Sequence, residues 1–480
     1  MTQSHSLYLH IPFCRHRCAY CDFNTYAGQE DLIPAYVNAL CNEIHAVALV
    51  TSPRLRVHTI FFGGGTPSLL TAGQFEKILA AIRENFDVLF DAEISLEANP
   101  GTISLACLLD LHRLGFNRLS FGIQSAHADE LRQLERIHNF FDVIEAVKWA
   151  RMAGFDNLNL DLIYGLPEQS LDRWQATVKL ALSLHPEHLS LYALTLEHGT
   201  PFGRWSARGR MPSPDPDLAA DMYEWAGEYL AAHGYEQYEI SNWAKTKDEG
   251  GRLVLPAPVP QAQVSEGEGM KDEFLPPSFA CRHNLQYWRN QTYLGFGAGA
   301  HGWAGGYRYS NVLRIKTYIE RLTKYQFPKS QSTNLPFPRS PATCSLQPVN
   351  LRTQMQETML LGLRLTREGV SASAFQARFG IALQEAFGRE VDELVGLGLL
   401  EWMQKLPSPS RSPTGVLPPT GTMSEGAGAC PGSFLRQDEL RRRGEGIFVH
   451  PAVLPNGQRI KLFKTLLTSV CERDCYYCPF

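Results

Sequence analysis

Short apolar runs alternate with amphipathic helical stretches through the first part of the chain, and this alternation limits the fold more than any single residue does. Strand-like runs lead from Ser6 into Cys14 and then fall at His58–Phe62, Glu93–Glu97, Arg118–Ile123, Asn157–Tyr164 and His188–Leu194. Between them, helical spacing holds at Leu32–Val47 (Tyr36, Leu40, Ile44 and Val47 on one face), Phe75–Ile82, Leu105–Leu114 closed by Gly115, Val143–Ala153 and Leu171–Leu184. Strands joined in order by helices pair in parallel, because a parallel neighbour needs a crossover connection. The pattern therefore predicts an α/β fold, a partial (β/α)6 barrel.

Such barrels carry their chemistry at the C-terminal ends of the strands, and here each strand ends in something unusual. The first runs into Cys14, Cys18 and Cys21; the second into Gly63, Gly64, Gly65, Thr66 and Pro67; the third into Glu97 and Asn99. The fourth ends at Gly122 and Gln124, the fifth at Asp161 and Gly165, the sixth near Thr195 and Glu197. Glycines let a ligand approach the backbone, whose amides and carbonyls then bind charge. Taken alone, the glycine run is equally a flexible turn, and Glu97, Asp161 and Arg136 are equally members of surface ion pairs.

The cysteines carry the sharpest signal. Their spacing is C-x3-C-x2-C with Tyr20 before the third, and a cubane iron–sulfur cluster held by three thiolates keeps one iron without a protein ligand. Structural zinc, the main rival, wants a fourth ligand, for which His10 and His16 stand nearby. Eleven cysteines, six of them in two tight triplets, suit reduced metal-binding thiols better than disulfides. Cys41, Cys107, Cys344 and Cys430 stand alone as packed or surface residues.

The triplet with its aromatic resembles the radical S-adenosylmethionine (SAM) superfamily. The motifs YLHIPFC, GGGTPS, EANPGT, FGIQS, LERIH and DLIYGLPEQS, in order, narrow the likeness. They resemble the oxygen-independent coproporphyrinogen III oxidases and their relatives, the HemW-type haem chaperones. The resemblance implies a [4Fe–4S] cluster on Cys14, Cys18 and Cys21, with SAM on the open iron, where one electron cleaves the sulfonium to a 5′-deoxyadenosyl radical. It sets Tyr8, Gly64, Gly65, Thr66, Glu97, Gln124, Arg136, Asp161 and Thr195 against SAM. The Gly64 and Gly65 backbone would receive the ammonium, Arg136 the carboxylate, and the acidic and amide side chains the ribose hydroxyls.

Two features separate the branches. The oxidases carry a fourth cysteine where this chain has Phe23, and they have an extension before the first strand. YEISNWA at Tyr238–Ala244 and CRHNLQYW at Cys281–Trp288, followed by YLGFGAGAH, resemble the chaperones. The resemblance then implies a third cofactor, haem, with His283, Cys281 and Tyr287 as residues able to approach it. The expected function is to bind haem and pass it to an apoprotein, of a respiratory kind, with an electron donor serving the cluster. The alternative is oxidative decarboxylation of coproporphyrinogen propionates. The glycines around Gly295 follow no strand-to-helix turn and read as tight backbone packing.

These signals divide the 480 residues into a barrel over 1–245, a low-complexity insertion over 246–280, a region over 281–325 completing the barrel side, and a linker over 326–350. A small helical, winged-helix-like domain over 351–405 follows, read as incomplete because no final strands are recognisable after Lys405. A Pro/Ser/Gly linker over 406–460 then reads as disordered. Residues 461–480 repeat the opening arrangement with Cys471, Cys475 and Cys478. They resemble the first strand of a second radical-SAM protein, read either as a remnant or as ligands of an auxiliary cluster. A net charge of −4 and a pI near 6.4 give no electrostatic case for nucleic acid or an anionic membrane. No apolar run approaches eighteen residues and no signal peptide is recognisable, which predicts a cytoplasmic protein whose only membrane contact would be peripheral.

Overall fold

The computed structural model describes residues 4–49, 53–247, 276–325 and 340–402 and the backbone of 446–449. Strand β1 (His5–Ile11) runs into a two-residue pairing of β2 (Phe13–Cys14) with β3 (Tyr26–Ala27), which pins the cysteine loop at both ends. Helix α1 (Ile33–Ala48), β4 (Arg56–Gly64), α2 (Ala72–Asn85), β5 (Asp87–Ala98), α3 (Leu105–Leu114) and β6 (Arg118–Gln124) follow. Then come α4 (Ala128–Gln133), α5 (Phe140–Met152), β7 (Leu158–Tyr164), α6 (Leu171–Leu182) and β8 (His188–Ala193). Several of the helices begin at a side-chain cap. Thr71 and Gln74 form a capping box on α2, Asn139 and Asp142 one on α5, and Ser104 caps α3. Gly115, at φ 100°, ends α3 in the left-handed conformation that a side chain resists.

All six expected strands form, pair in parallel and stand in sequence order, β1-β4-β5-β6-β7-β8. Successive side chains on a strand point to opposite faces. Leu7, Leu9, Ile60, Phe62, Leu96, Leu119, Leu160 and Leu189 lie in the main apolar core together with residues of the helices. The alternate residues, Ser6, Thr59, Ser120, Asn159, Asp161 and His188, face inward and hydrogen-bond one another across the lumen. A parallel strand covered by apolar layers on both faces would read as one continuous apolar run; these strands alternate because the interior is polar.

Beyond β8 come α7 (Pro201–Ala207), α8 (Pro216–Ala232) and the antiparallel pair β9 (Glu236–Glu239) and β10 (Asn242–Ala244), which extends the sheet past β8. On the far side, α9 (Arg282–Trp288) leads to β11 (Tyr293–Phe296), which pairs in parallel with β1. Strands β12 (His301–Ala304) and β13 (Tyr307–Asn311), helix α10 (Ile315–Thr323) and strand β14 (Thr343–Pro348) complete a twelve-stranded sheet. The stretch read as a linker over 326–350 thus holds a strand. β14 is an edge strand with mostly exposed side chains, so it shows no apolar alternation. The flank of the insertion read over 246–280 is packed too, with Phe279 and Ala280 buried against Tyr238, Leu285 and Trp288.

The C-terminal unit consists of α11 (Leu351–Gly362), β15 (Val370–Ser371), α12 (Ala372–Phe379), α13 (Leu383–Gly396) and β16 (Leu400–Trp402) around a core of Met355, Met359, Phe375, Leu383, Phe387 and Val391. Strand β17 (Gly446–Val449) lies between β15 and β16 and pairs antiparallel with both. A final strand therefore comes from the stretch read as a linker over 406–460. Four residues are too short to show periodicity. Cys430, Cys471, Cys475 and Cys478 lie outside the described residues.

Candidate functional site at the barrel mouth

The cysteine loop sits at the C-terminal end of β1, as expected for a barrel of this kind. Cys14 is buried, while Cys18 and Cys21 are partly exposed. Burial pushes the Cys14 thiol up to about 11, and the neighbouring thiols of Cys21 and Cys18 add to the rise. Among the described residues no three His, Cys, Asp or Glu side chains converge as they would on a single ion. A cluster asks for something else, since each thiolate binds a different iron and the sulfurs stand further apart than around one zinc.

The two histidines weighed as a fourth zinc ligand are engaged elsewhere. The Nε2 of His10 lies 3.0 Å from the Asn24 carbonyl, which can only accept, so Nε2 carries the proton and Nδ1 accepts from the Tyr8 hydroxyl at 3.0 Å. His16 pairs with Glu135 at 3.4 Å on the exposed rim.

The glycine run closes against this loop and is no free turn. Gly65 N donates to Ile11 O (2.9 Å) and Thr66 N to Phe13 O (2.7 Å). A Cβ on Gly65 would lie 2.6 Å from Phe13 O and 3.0 Å from Cys14 Sγ, and one on Gly64 would lie 2.5 Å from the His10 ring, so only glycine fits either place. The amide of Gly64, at φ 111°, donates to Glu97 Oε2 at 3.0 Å. Burial lifts the Glu97 carboxyl to about 7, with the Asp161 charge adding to it. Asp161 accepts from Ser120 (2.8 Å) and Asn159 (2.7 Å), and its carboxyl is likewise raised, chiefly by burial.

Arg136 ties the strand ends together. Its Nη2 donates to Gly122 O at 2.6 Å and to Asn99 Oδ1, and its Nη1 approaches Cys18 Sγ at 3.7 Å. Asn99 in turn donates to Thr66 Oγ1 (2.9 Å), and Thr66 to Cys14 Sγ (3.7 Å). Arg136, Glu97 and Asp161 are thus parts of the mouth, and the surface-pair reading does not hold for them. Gln124 sits at φ 63°, in the region side chains avoid, and its buried Oε1 has no partner. Backbone strain and an unsatisfied acceptor thus coincide at this strand end. Thr195 lies just past β8 and is exposed. Arg15, His16, Cys18, Thr66, Asn99 and Arg136 line a pocket at this mouth. The linking role of Asn99 was missed in the sequence, although EANPGT places it at a strand end.

Cys281, His283 and Tyr287 lie elsewhere, on α9 at the other end of the lumen. Thr59 gives its one proton to Ser6 (2.6 Å), so His283 Nδ1 must donate to Thr59 (2.8 Å). That leaves His283 Nε2 as the acceptor of the Tyr287 hydroxyl at 3.0 Å. His283 stacks on Phe61 at 5.0 Å, and burial lowers it to about 3. Cys281 Sγ faces Glu93 Oε1 at 3.6 Å, and burial pushes the thiol up to about 12. The reading of Gly295 as tight packing holds, since a Cβ there would fall 1.7 Å from His301 O.

Comparison with known proteins agrees with this geometry. Residues 8–181 match the family model of the radical SAM superfamily, and residues 349–402 that of the HemN C-terminal domain. The chain is 38% identical, over 82% of its length and 92% of the relative's, to a protein of Bacillus subtilis named heme chaperone HemW. It is 32% identical to the Lactococcus lactis protein of the same name, covering 83% of this chain and 92% of that one. Among solved structures, the Escherichia coli radical-SAM coproporphyrinogen III oxidase HemN shares the fold, with a TM-score of 0.62 and 23% identity over 83% of both chains. Cysteine loop, glycine cradle and strand-end polar residues thus stand in a chain that belongs to the HemW family of the radical SAM superfamily.

Proposed function

We propose that this protein binds haem and delivers it to an apoprotein, and that it carries a [4Fe–4S] cluster and SAM at the barrel mouth. The observation that carries the reading is the 38% identity to a haem chaperone across 92% of that protein's length. The mouth supports the cofactor part: Cys14, Cys18 and Cys21 would hold the cluster, and SAM would fill its open coordination position. When bound, the pair supplies one-electron reduction of the SAM sulfonium, which needs an external electron donor. The chain's own residues do the rest. The backbone at Gly64 and Gly65 admits the amino-acid end of SAM, Arg136 offers its guanidinium to a carboxylate, and Glu97, Gln124 and Asp161 offer acceptors to hydroxyls or a cation.

Phe23, in place of the fourth cysteine of the oxidases, favours haem transfer over coproporphyrinogen turnover. Haem ligation by His283 requires the Tyr287 hydroxyl to release the ring's only lone pair and the buried ring to be uncovered. A respiratory haem protein is the class of recipient, and the cytoplasm the compartment, in this reading. No helix among the described residues is long and apolar enough to cross a membrane.

The test is anaerobic reconstitution with iron and sulfide, addition of haemin and then of an apo-cytochrome. A Soret band that forms on this chain and then moves to the acceptor, without coproporphyrinogen loss, is expected. Turnover of coproporphyrinogen without stable haem uptake would reverse the assignment.

A further inference from the structure

We infer that Asn24, held by the loop that follows β11, is a positioning residue for the cluster cysteines, so that the C-terminal half of the sheet forms the second wall of the metal site. The Asn24 side chain donates from one Nδ2 to two carbonyls, Ala298 O and Leu313 O, both at 3.0 Å. Its own carbonyl accepts from His10. Tyr26 adds a third tie, from its hydroxyl to Leu313 O at 3.2 Å. Because β11 runs parallel to β1, the loop after Phe296 emerges at the same end of the sheet as the cysteine loop.

That loop is itself held rigid from below. Glu43, fully buried on α1, accepts from Gly297 N (2.8 Å), Asn311 Nδ2 (2.7 Å), the Tyr318 hydroxyl (2.6 Å) and Ser340 Oγ (2.5 Å). Tyr36 donates to His10 O (2.7 Å) and accepts from Ala298 N (2.9 Å). The fit is close enough that glycine is required: a Cβ on Gly299, at φ 80°, would lie 2.4 Å from Asn24 Nδ2. A buried carboxylate saturated by four donors does not move cheaply, so it fixes the far side of the clasp.

The consequence falls on Cys21. Cys14 belongs to β2 and is held by the pairing with β3, but Cys18 and Cys21 lie in the stretch between. Cys21 N donates to Cys18 O (3.2 Å), Thr25 N to Phe23 O (2.7 Å), and Cys21 Sγ touches Thr25 Oγ1 at 3.8 Å. Cys18 is linked to β6 through Arg136, and on the other side Asn24 carries the direct side-chain ties from this stretch to the C-terminal half of the sheet. Hydrogen bonds around cluster ligands set both their orientation and the access of solvent.

The inference rests on the cluster reading above and can be tested apart from it. The full chain and its variants are reconstituted anaerobically, and iron content, the electron paramagnetic resonance spectrum of the reduced cluster and the half-life of its visible absorption in air are measured. Asn24→Asp keeps the shape and removes the donors; Gly299→Ala strikes the same clasp from the opposite wall. Both variants should load iron to the wild-type level, melt within a few degrees of wild type, show an altered resonance spectrum and lose the cluster in air at least five-fold faster. Cluster spectra unchanged and air half-lives within two-fold of wild type in Asn24→Asp would overturn the inference. So would the same result in Gly299→Ala, and if Gly299→Ala does not fold, Asn24→Asp alone decides. A wild-type chain that takes up no cluster would instead sink the cofactor reading.

Discussion

The two ends of the barrel lumen are built from the same kinds of residues and end in opposite conditions. At the mouth, glycines let the second strand's end close against the cysteine loop, burial raises the Glu97 carboxyl to about 7, and the Gln124 carbonyl has no partner. At the α9 end, Thr59, His283 and Tyr287 satisfy one another in a chain with every proton placed. Both ends are polar and withdrawn from solvent, so burial of polar groups does not by itself mark a ligand site. At the mouth an unsatisfied acceptor coincides with strained backbone at Gln124, and it is that coincidence, more than burial, that sets this end apart.

Disabling the mouth should have the largest effect. Replacing Cys14, Cys18 and Cys21 together by alanine should abolish the cluster's visible absorption after reconstitution while leaving the melting curve of the apo chain close to wild type. At the other end, the effect should fall on stability. His283→Ala removes a buried ring and orphans the Tyr287 hydroxyl, while Thr59 keeps its bond to Ser6; the cost is about 2–4 kcal/mol in chemical denaturation. Tyr287→Phe sharpens the contrast, since it frees the lone pair on Nε2 and leaves the ring in place. With His283 as the haem ligand, the Soret band of Tyr287→Phe should grow several-fold faster than that of wild type at equal haemin. An unchanged rate would count against His283 as the ligand.

The sequence disclosed the mouth far better than the floor, for a physical reason. Strands of β-branched and apolar residues are legible from periodicity, so Glu97 and Gln124 could be placed at strand ends before any coordinates, whereas Asp161, expected at the end of its strand, stands at the middle of β7, which runs on to Tyr164. Arg136 follows α4, not a strand, and only its motif resemblance pointed to it. The floor depends on α9, which folds back from across the insertion, so nothing local in CRHNLQYW tells whether His283 faces solvent, haem or Thr59. The clasp around Asn24 was invisible for the same reason, since its partners Ala298 and Leu313 are remote in the chain. Strands β14 and β17 escaped because one is an exposed edge and the other four residues long.

The smallest effect concerns Glu97, and its sign separates a prepared anion from a merely buried acid. Burial raises this carboxyl to about 7, above its ordinary value near 4.5, so without ligand the folded chain holds the proton over that interval. Folding then binds more protons than the unfolded chain does, and the contribution of Glu97 to stability is present below pH 4.5 and lost as the pH rises through 7. Binding of a cation at the mouth runs the other way, because the charged ligand favours the ionised carboxylate and must displace the proton. SAM should therefore bind the cluster-loaded protein more tightly as the pH rises from 6 to 8, by up to about tenfold per unit below 7 and levelling off above it. Calorimetry in two buffers of different ionisation heat should register a proton released on binding at pH 6 and none at pH 8. In Glu97→Gln, which keeps an acceptor for the Gly64 amide but cannot ionise, both the pH slope and the released proton should vanish, with affinity at pH 8 reduced by roughly one order of magnitude.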